Sequence, residues 1–243
     1  MKGLRNNIRM WKMVLLPPIL TAILYFLIFG QVIGDRIGLI HGFAYMTYIL
    51  PGLIMMAAMN SAYAQTSNSF FLEKFQHCID EMLISPIYNI VILLGFIAVG
   101  IFRGLIVATL VLVVSMFFTK VVIIHWVVML LSLLVATTVF AAAGLINAIM
   151  ARTFDDIGVV PTFILTPLIY LGGVFYPLSS LPPFWRDISY LNPLAYIISS
   201  LRYSMLGLSG QYIAWAFAVM LLFIVFFLAA ANYLMSYGNR LRA

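Results

Sequence analysis

The residues of this chain whose types could do chemistry are few and scattered. Glu73, His77, Cys78 and Glu81 fall in one short stretch, and Glu73 and His77 stand one helical turn apart. That spacing can bring two ligands to one metal ion. No second ligand set converges on them, so a solvated polar helix face is the simpler reading. Arg103 stands alone inside a long apolar run, about 20 Å of helix past Ile90. A charge at that depth faces a bundle interior or an aqueous cavity. A structural pairing is the favoured reading there, and contact with an anionic substrate group is the alternative. Asp155 and Asp156 follow Arg152 and Thr153, a group able to cap a helix or meet a cytosolic partner. The phosphate-binding loop G-x-x-x-x-G-K-[ST] is absent from the sequence, as are HExxH, CxxC and GxSxG. The chain is therefore expected to bind no cofactor or metal and to carry no catalytic residue.

The elements that must position these groups are membrane helices. The 243 residues are 65% hydrophobic and 8% charged, where a soluble domain carries about 25% charge. Apolar blocks are long enough to cross a bilayer, at about 20 residues each. The expected fold is all-α and polytopic, a single membrane domain over residues 1–243. The net charge of +6 is spread over the ends of apolar blocks, which suits membrane orientation and not nucleic-acid binding. One cysteine, Cys78, excludes an intramolecular disulfide. The basic start followed by an apolar run imitates a signal peptide. The run is longer than a usual signal core and no small-x-small site follows, so it reads as a retained span.

Six spans are expected, at about 14–33, 45–64, 90–118, 124–150, 158–175 and 212–235. With the N-terminus inside, the inner side holds Lys2, Arg5, Arg9, Lys12, Lys74, Arg152, Arg240 and Arg242. The outer side holds Arg36, Lys120, Arg186 and Arg202. Eight against four places both termini in the cytoplasm.

Two connections are more than loops. Between the second and third spans, Phe71, Leu72, Phe75, Ile79, Met82 and Leu83 recur at helical spacing, while Glu73, Gln76, His77, Asp80 and Glu81 fill the other surface. This predicts an amphipathic helix over about 70–84, with Ser69 able to cap it and Pro86 ending it. It could dock a cytosolic partner or simply rest at the interface. The stretch from Pro161 to Trp185 runs from apolar span into a Pro-rich aromatic elbow at Pro177, Pro182, Pro183, Phe184 and Trp185. Irregular backbone at membrane depth is tolerated only inside protein or along a watery cavity. The segment over 176–211 reads as two short helices meeting near Asn192-Pro193, one of them able to re-enter the membrane. Arg103, Tyr170, Phe175, Tyr176, Phe184 and Trp185 are the candidates for a translocation path or gate.

The run LTPLIYLGGVFYPLSSLPPFW followed by LNPLAYIISSLRYSMLG resembles the C-terminal signature of the membrane subunits of type-2 ATP-binding-cassette exporters. YILPGLIMM and ARTFDDIGVVPTF are similar to the same family, in its short bacterial permeases for polysaccharides, lipo-oligosaccharides and drugs. The resemblance implies six spans, a permease homodimer in the inner membrane, and two copies of a separate ATPase that binds ATP and Mg. It implies that residues 70–84 form a coupling helix, with Phe71, Glu73, Phe75, His77, Asp80 and Glu81 at the ATPase together with Arg152, Asp155 and Asp156. It implies that residues 176–211 form outer re-entrant helices. Such permeases carry a longer amphipathic helix before the first span than Met1 to Lys12, so that helix is shortened or begins upstream. The expected cargo is amphiphilic: a lipid-linked saccharide, a lipid or a drug-like molecule. The rival is an ATPase-independent secondary carrier or an integral-membrane enzyme, for which only Arg103 offers support.

Overall fold

A bilayer offers no hydrogen-bond partners to the backbone, so long apolar runs satisfy themselves as helices. The structure, a computed structural model, describes residues 16–79, 88–208 and 213–237, with the side chains of Gln31, Asp35 and Tyr237 left aside. Asp80 and Glu81 lie outside the described residues, as do Lys2, Arg5, Arg9, Lys12, Arg240 and Arg242.

Helix α1 covers residues 16–37, with Pro17 and Pro18 in its opening turn and a π-helical stretch at Phe26–Ile33. A two-strand hairpin follows, β1 (Leu39–Ile40) against β2 (Phe43–Ala44). Its turn residues His41 and Gly42 both have positive φ, at 50° and 83°, as a two-residue turn matched to strand twist requires. Then come α2 (Tyr45–Phe75), α3 (Asn89–Ser115), α4 (Trp126–Met150) and α5 (Phe154–Leu171), the last with a π turn at Pro161–Leu165. Two short helices, α6 (Pro183–Leu191) and α7 (Pro193–Leu206), meet at Asn192, and α8 (Ile213–Tyr237) ends the described chain.

The protein is an all-α membrane fold, the minimal hairpin aside. Among the described residues, α3, α4, α5 and α8 are long and apolar enough to cross a membrane. The apolar part of α1, Leu16–Gly30, is shorter. α2 is longer than any of these but is diluted by Asn60, Ser61, Gln65, Thr66, Ser67, Asn68 and Ser69. Where the sequence suggested a new helix capped by Ser69, α2 runs on through it to Phe75, and the Ser69 hydroxyl donates back to the Gln65 carbonyl. At 31 residues, α2 is about 46 Å long against about 30 Å of hydrocarbon. One end must therefore project.

α2 is the axis of the bundle and packs on α3 and α4. Gly100 and Gly104 make the α2–α3 approach close. A Cβ on Gly104 would lie 2.9 Å from the Ala58 carbonyl oxygen and 2.7 Å from Thr137 Cγ2, the small-x-x-x-small contact of membrane helices. α7 is buried against α2, α4 and α8 through Leu194, Ile197, Ile198, Leu201 and Met205. α5 and α8 are peripheral, with Phe163, Ile164, Leu222, Val225 and Phe226 on the surface.

Candidate functional site

At one end of the bundle, the C-termini of α2 and α4 meet the start of α5. Helix α4 ends with carbonyls that lack intrahelical donors, and a cation is favoured there. Lys74 of α2 supplies it: its Nζ donates to the Ile149 carbonyl at 2.9 Å and to the Ala151 carbonyl at 2.8 Å. The next helix starts at once. Thr153 is the N-cap of α5, and its Oγ1 accepts from the Asp156 amide at 3.3 Å. The Asp156 carboxylate accepts from the Arg152 and Thr153 amides at 2.8 and 3.0 Å, completing a capping box. Asn147 of α4 donates to the Ile157 carbonyl at 3.0 Å, which fixes the turn from the other side.

Aromatic rings close this junction. Phe154 packs edge-on against Phe71 with centroids 4.8 Å apart, and against Phe75 at 5.2 Å. Phe71 is buried, while Phe75, Phe154 and Leu72 are exposed. So are His77, Arg152 and Asp155, with Glu73 half-buried. The two regions that the sequence marked for a cytosolic partner are thus one surface, an apolar patch rimmed by both signs of charge. Asp156 is held by its cap. Phe154 and Lys74 were not singled out from sequence. Lys74 caps carbonyls 75 and 77 residues away, and no local pattern announces that.

At the opposite end the chain folds into an elbow after α5. Gly173 turns it with φ 76°, a conformation that side-chain-bearing residues avoid. Phe175 is buried in a ring cluster: Phe29 stacks on it at 4.7 Å, with Tyr25 at 5.6 Å and Tyr170 at 5.8 Å. Its carbonyl accepts from the Tyr45 hydroxyl at 3.0 Å. Tyr176 donates its hydroxyl to the Tyr170 carbonyl at 2.7 Å, and burial pushes this phenol above its ordinary pKa, keeping it a donor. Asn192 caps α7 by accepting from the Leu194 amide at 3.0 Å and donates to the Leu168 carbonyl of α5 at 2.6 Å. Phe184 and Trp185 pair edge-to-face at 5.5 Å but are exposed on α6, apart from the Phe175 cluster.

Arg202 of α7 was counted only as a loop charge in the sequence. It is buried, at 7% exposure. It donates from Nη2 to the Gly173 carbonyl at 2.9 Å, and its guanidinium carbon lies 4.1 Å from the centre of the Tyr48 ring. It lines a cavity of ≈ 450 Å³ together with His41, Tyr190, Tyr196, Ser199 and Ser200.

Arg103 stands midway between the two ends. It donates from Nη1 to the Gln65 side-chain oxygen, and its Nε is buried without an acceptor. It borders a ≈ 420 Å³ cavity between α1 and α2, where Thr21, Tyr25, Asn60 and Ser61 supply polar groups. A second ≈ 420 Å³ cavity is almost wholly apolar and lies between α4, α5, α7 and α8, bordered by Phe140, Ile164, Leu168, Phe223 and Phe227. Among the described residues the bundle thus offers one polar and one apolar space, neither lined by a cluster of acid–base groups.

Residues 1–206 match the family described as ABC-2 type transporter. The chain belongs to the ABC-2 type transporter family. It is 47% identical over 242 residues to the inner membrane transport permease YadH of Escherichia coli, covering all of this chain and 94% of that protein. It is 29% identical over 239 residues to nodulation protein J of Sinorhizobium fredii, covering 93% and 88% of the two chains. The match to nodulation protein J of Rhizobium leguminosarum is 26% over 211 residues, covering 84% and 80%. Membership of this family implies association with an ABC ATPase.

Proposed function

We propose that this chain is the permease subunit of an ATP-driven exporter in a bacterial inner membrane, moving an amphiphilic molecule outward. In this reading it crosses the membrane six times, with α1 and α2 joining the four apolar helices and both termini in the cytoplasm. Two copies form the transporter, with two copies of a separate ATPase that carries ATP and Mg. The name of the Escherichia coli relative supports the inner-membrane assignment. The apolar cavity beside α5 and the polar cavity at Arg103 support an amphiphilic cargo.

The observation that carries the reading is the Phe71–Phe75–Phe154 junction. It sits on the projecting end of α2, offers exposed rings ringed by Glu73, His77, Arg152 and Asp155, and is joined to the end of α4 through Lys74 and to α5 through Phe154. An ATPase seated there would push on three spans at once. The elbow, with Tyr170, Phe175 and Tyr176 in its walls and Phe184 and Trp185 on its outside, is the gate at the far end. α6 and α7 re-enter the membrane there from outside.

The test is to replace Phe75 and Phe154 together with Glu. The variant should insert and fold, because both rings are exposed, yet lose ATPase co-purification and transport. Retention of both at wild-type levels would remove this surface as the dock.

A further inference from the structure

We propose that the elbow cavity is a binding site for one oxyanion of the phosphate or phosphodiester class, with Arg202 as its counter-charge. The inference rests on the permease reading in one respect: it assigns a charged head to the amphiphile that meets the elbow.

A cation withdrawn from water must be compensated by hydrogen bonds and opposite charge. Arg202 is compensated only in part. One N–H reaches the neutral Gly173 carbonyl, the Tyr48 ring faces the guanidinium, and Nε is buried with no acceptor at all. No carboxylate stands among the described residues that line the cavity. Arg103 shares the orphaned Nε and also has a neutral acceptor, but it is only half-buried, so its charge is less withdrawn from water than that of Arg202. The space in front of Arg202, at ≈ 450 Å³, exceeds what a bare ion needs and fits a head group with its linkage. Its remaining walls suit that ligand. Tyr190 and Tyr196 carry hydroxyls and His41 stands at the hairpin turn, while Ser199 and Ser200, whose hydroxyls donate to the Ala195 and Ile197 carbonyls, keep the wall small beside Arg202. A guanidinium with free donors matches the tetrahedral oxygens of a phosphate better than it matches any neutral group. The cavity lies between the hairpin, α2, α6, α7, α8 and the elbow itself, so an occupant would bridge these elements and add to the hold that Arg202 has on the elbow.

The experiment uses the full-length permease in phosphatidylcholine nanodiscs without ATPase, so that a failed coupling reading and a failed binding reading remain separate results. Binding of a fluorescent short-chain phosphatidylglycerol is titrated, with inorganic phosphate as competitor. Arg202→Gln should weaken binding by at least about tenfold, as loss of a desolvated charge partner does. Ser199→Leu, which fills the cavity and leaves Arg202 in place, should weaken it similarly and covers the case in which the Arg202 variant fails to fold. Lys120→Gln, which removes a surface charge in the α3–α4 connection, should bind as wild type. Competition by inorganic phosphate means that the oxyanion alone suffices, while its absence means that the attached tail is required; both support the site. Undetectable binding by the wild type, or wild-type affinity in Ser199→Leu together with Arg202→Gln, overturns it. So does an equal loss in Lys120→Gln, which would reduce the effect to general surface charge.

Discussion

A cation from another helix closes the turn at each end of α5, Lys74 on the α4 carbonyls before it and Arg202 on the elbow after it, and the two holds differ in kind. Before its first turn, Lys74 of α2 donates to the Ile149 and Ala151 carbonyls. Just past its last turn, Arg202 of α7 donates to the Gly173 carbonyl. Lys74 is a half-buried ammonium on a four-carbon stem, and its three donors can trade one carbonyl for the next. Arg202 is a buried planar group fixed against the Tyr48 ring. The first hold can slip while staying made, and the second must be kept or lost. On the proposed reading, motion driven by an ATPase at the Phe75 end would enter the α4–α5 turn through the yielding hold and pivot about the stiff one.

Removing the stiff hold should cost most. Arg202→Ala loses a hydrogen bond from a charged group and a ring contact, about 3 kcal/mol together. The expected outcome is a clear drop in thermal midpoint of the permease in nanodiscs. An unchanged midpoint would make the two holds alike and end the comparison. Asn192→Ala, at the same end, loses the α7 cap and the bond to Leu168, about 2 kcal/mol. If its midpoint matches the wild type, α7 is held by apolar burial alone.

Lys74→Met should cost only about 1 kcal/mol, the scale of a cation at a helix C-terminus. Its functional effect should be larger than its stability effect: transport falls while the protein stays folded and still carries the ATPase. Lys74→Arg should retain most transport, and equal damage by both would show that the carbonyl contacts are not what matters. Thr153→Ala should cost least, about 0.5–1 kcal/mol for one exposed cap. A loss as large as that of Arg202→Ala would shift the stiff end of α5 to its start.

The sequence made some of this legible and not the rest, and the dividing line is distance along the chain. The capping role of Asp156 was readable because Thr153 lies three residues before it, and the Asn192-Pro193 helix start because its signal is contiguous. Arg103 stood out because one charge inside an apolar run is visible without neighbours. Lys74 and Arg202 were tallied as loop charges, since their partners are carbonyls, which every residue carries. The interruption expected near Ser69 does not occur. Its hydroxyl is satisfied within the helix by Gln65, and Phe70 and Phe71 beyond it are buried, which rewards continuing the helix. The meeting of Phe71 and Phe75 with Phe154 depends on the fold of α4 back along α2, which no short pattern encodes.

The unbroken length of α2 has a mechanical consequence. Its first residue, Tyr45, is bonded to the elbow at Phe175, and its penultimate residue, Lys74, is bonded at the α4–α5 turn. One rod thus touches both ends of its neighbour. Beyond Pro51, which lacks an amide donor, each turn of this helix is braced by its own hydrogen bonds and resists compression along the axis. On the proposed reading, a push at Phe75 would reach the elbow without waiting for α5 to bend. Geometry would then time the two ends together, as the valve of an engine is timed by its pushrod.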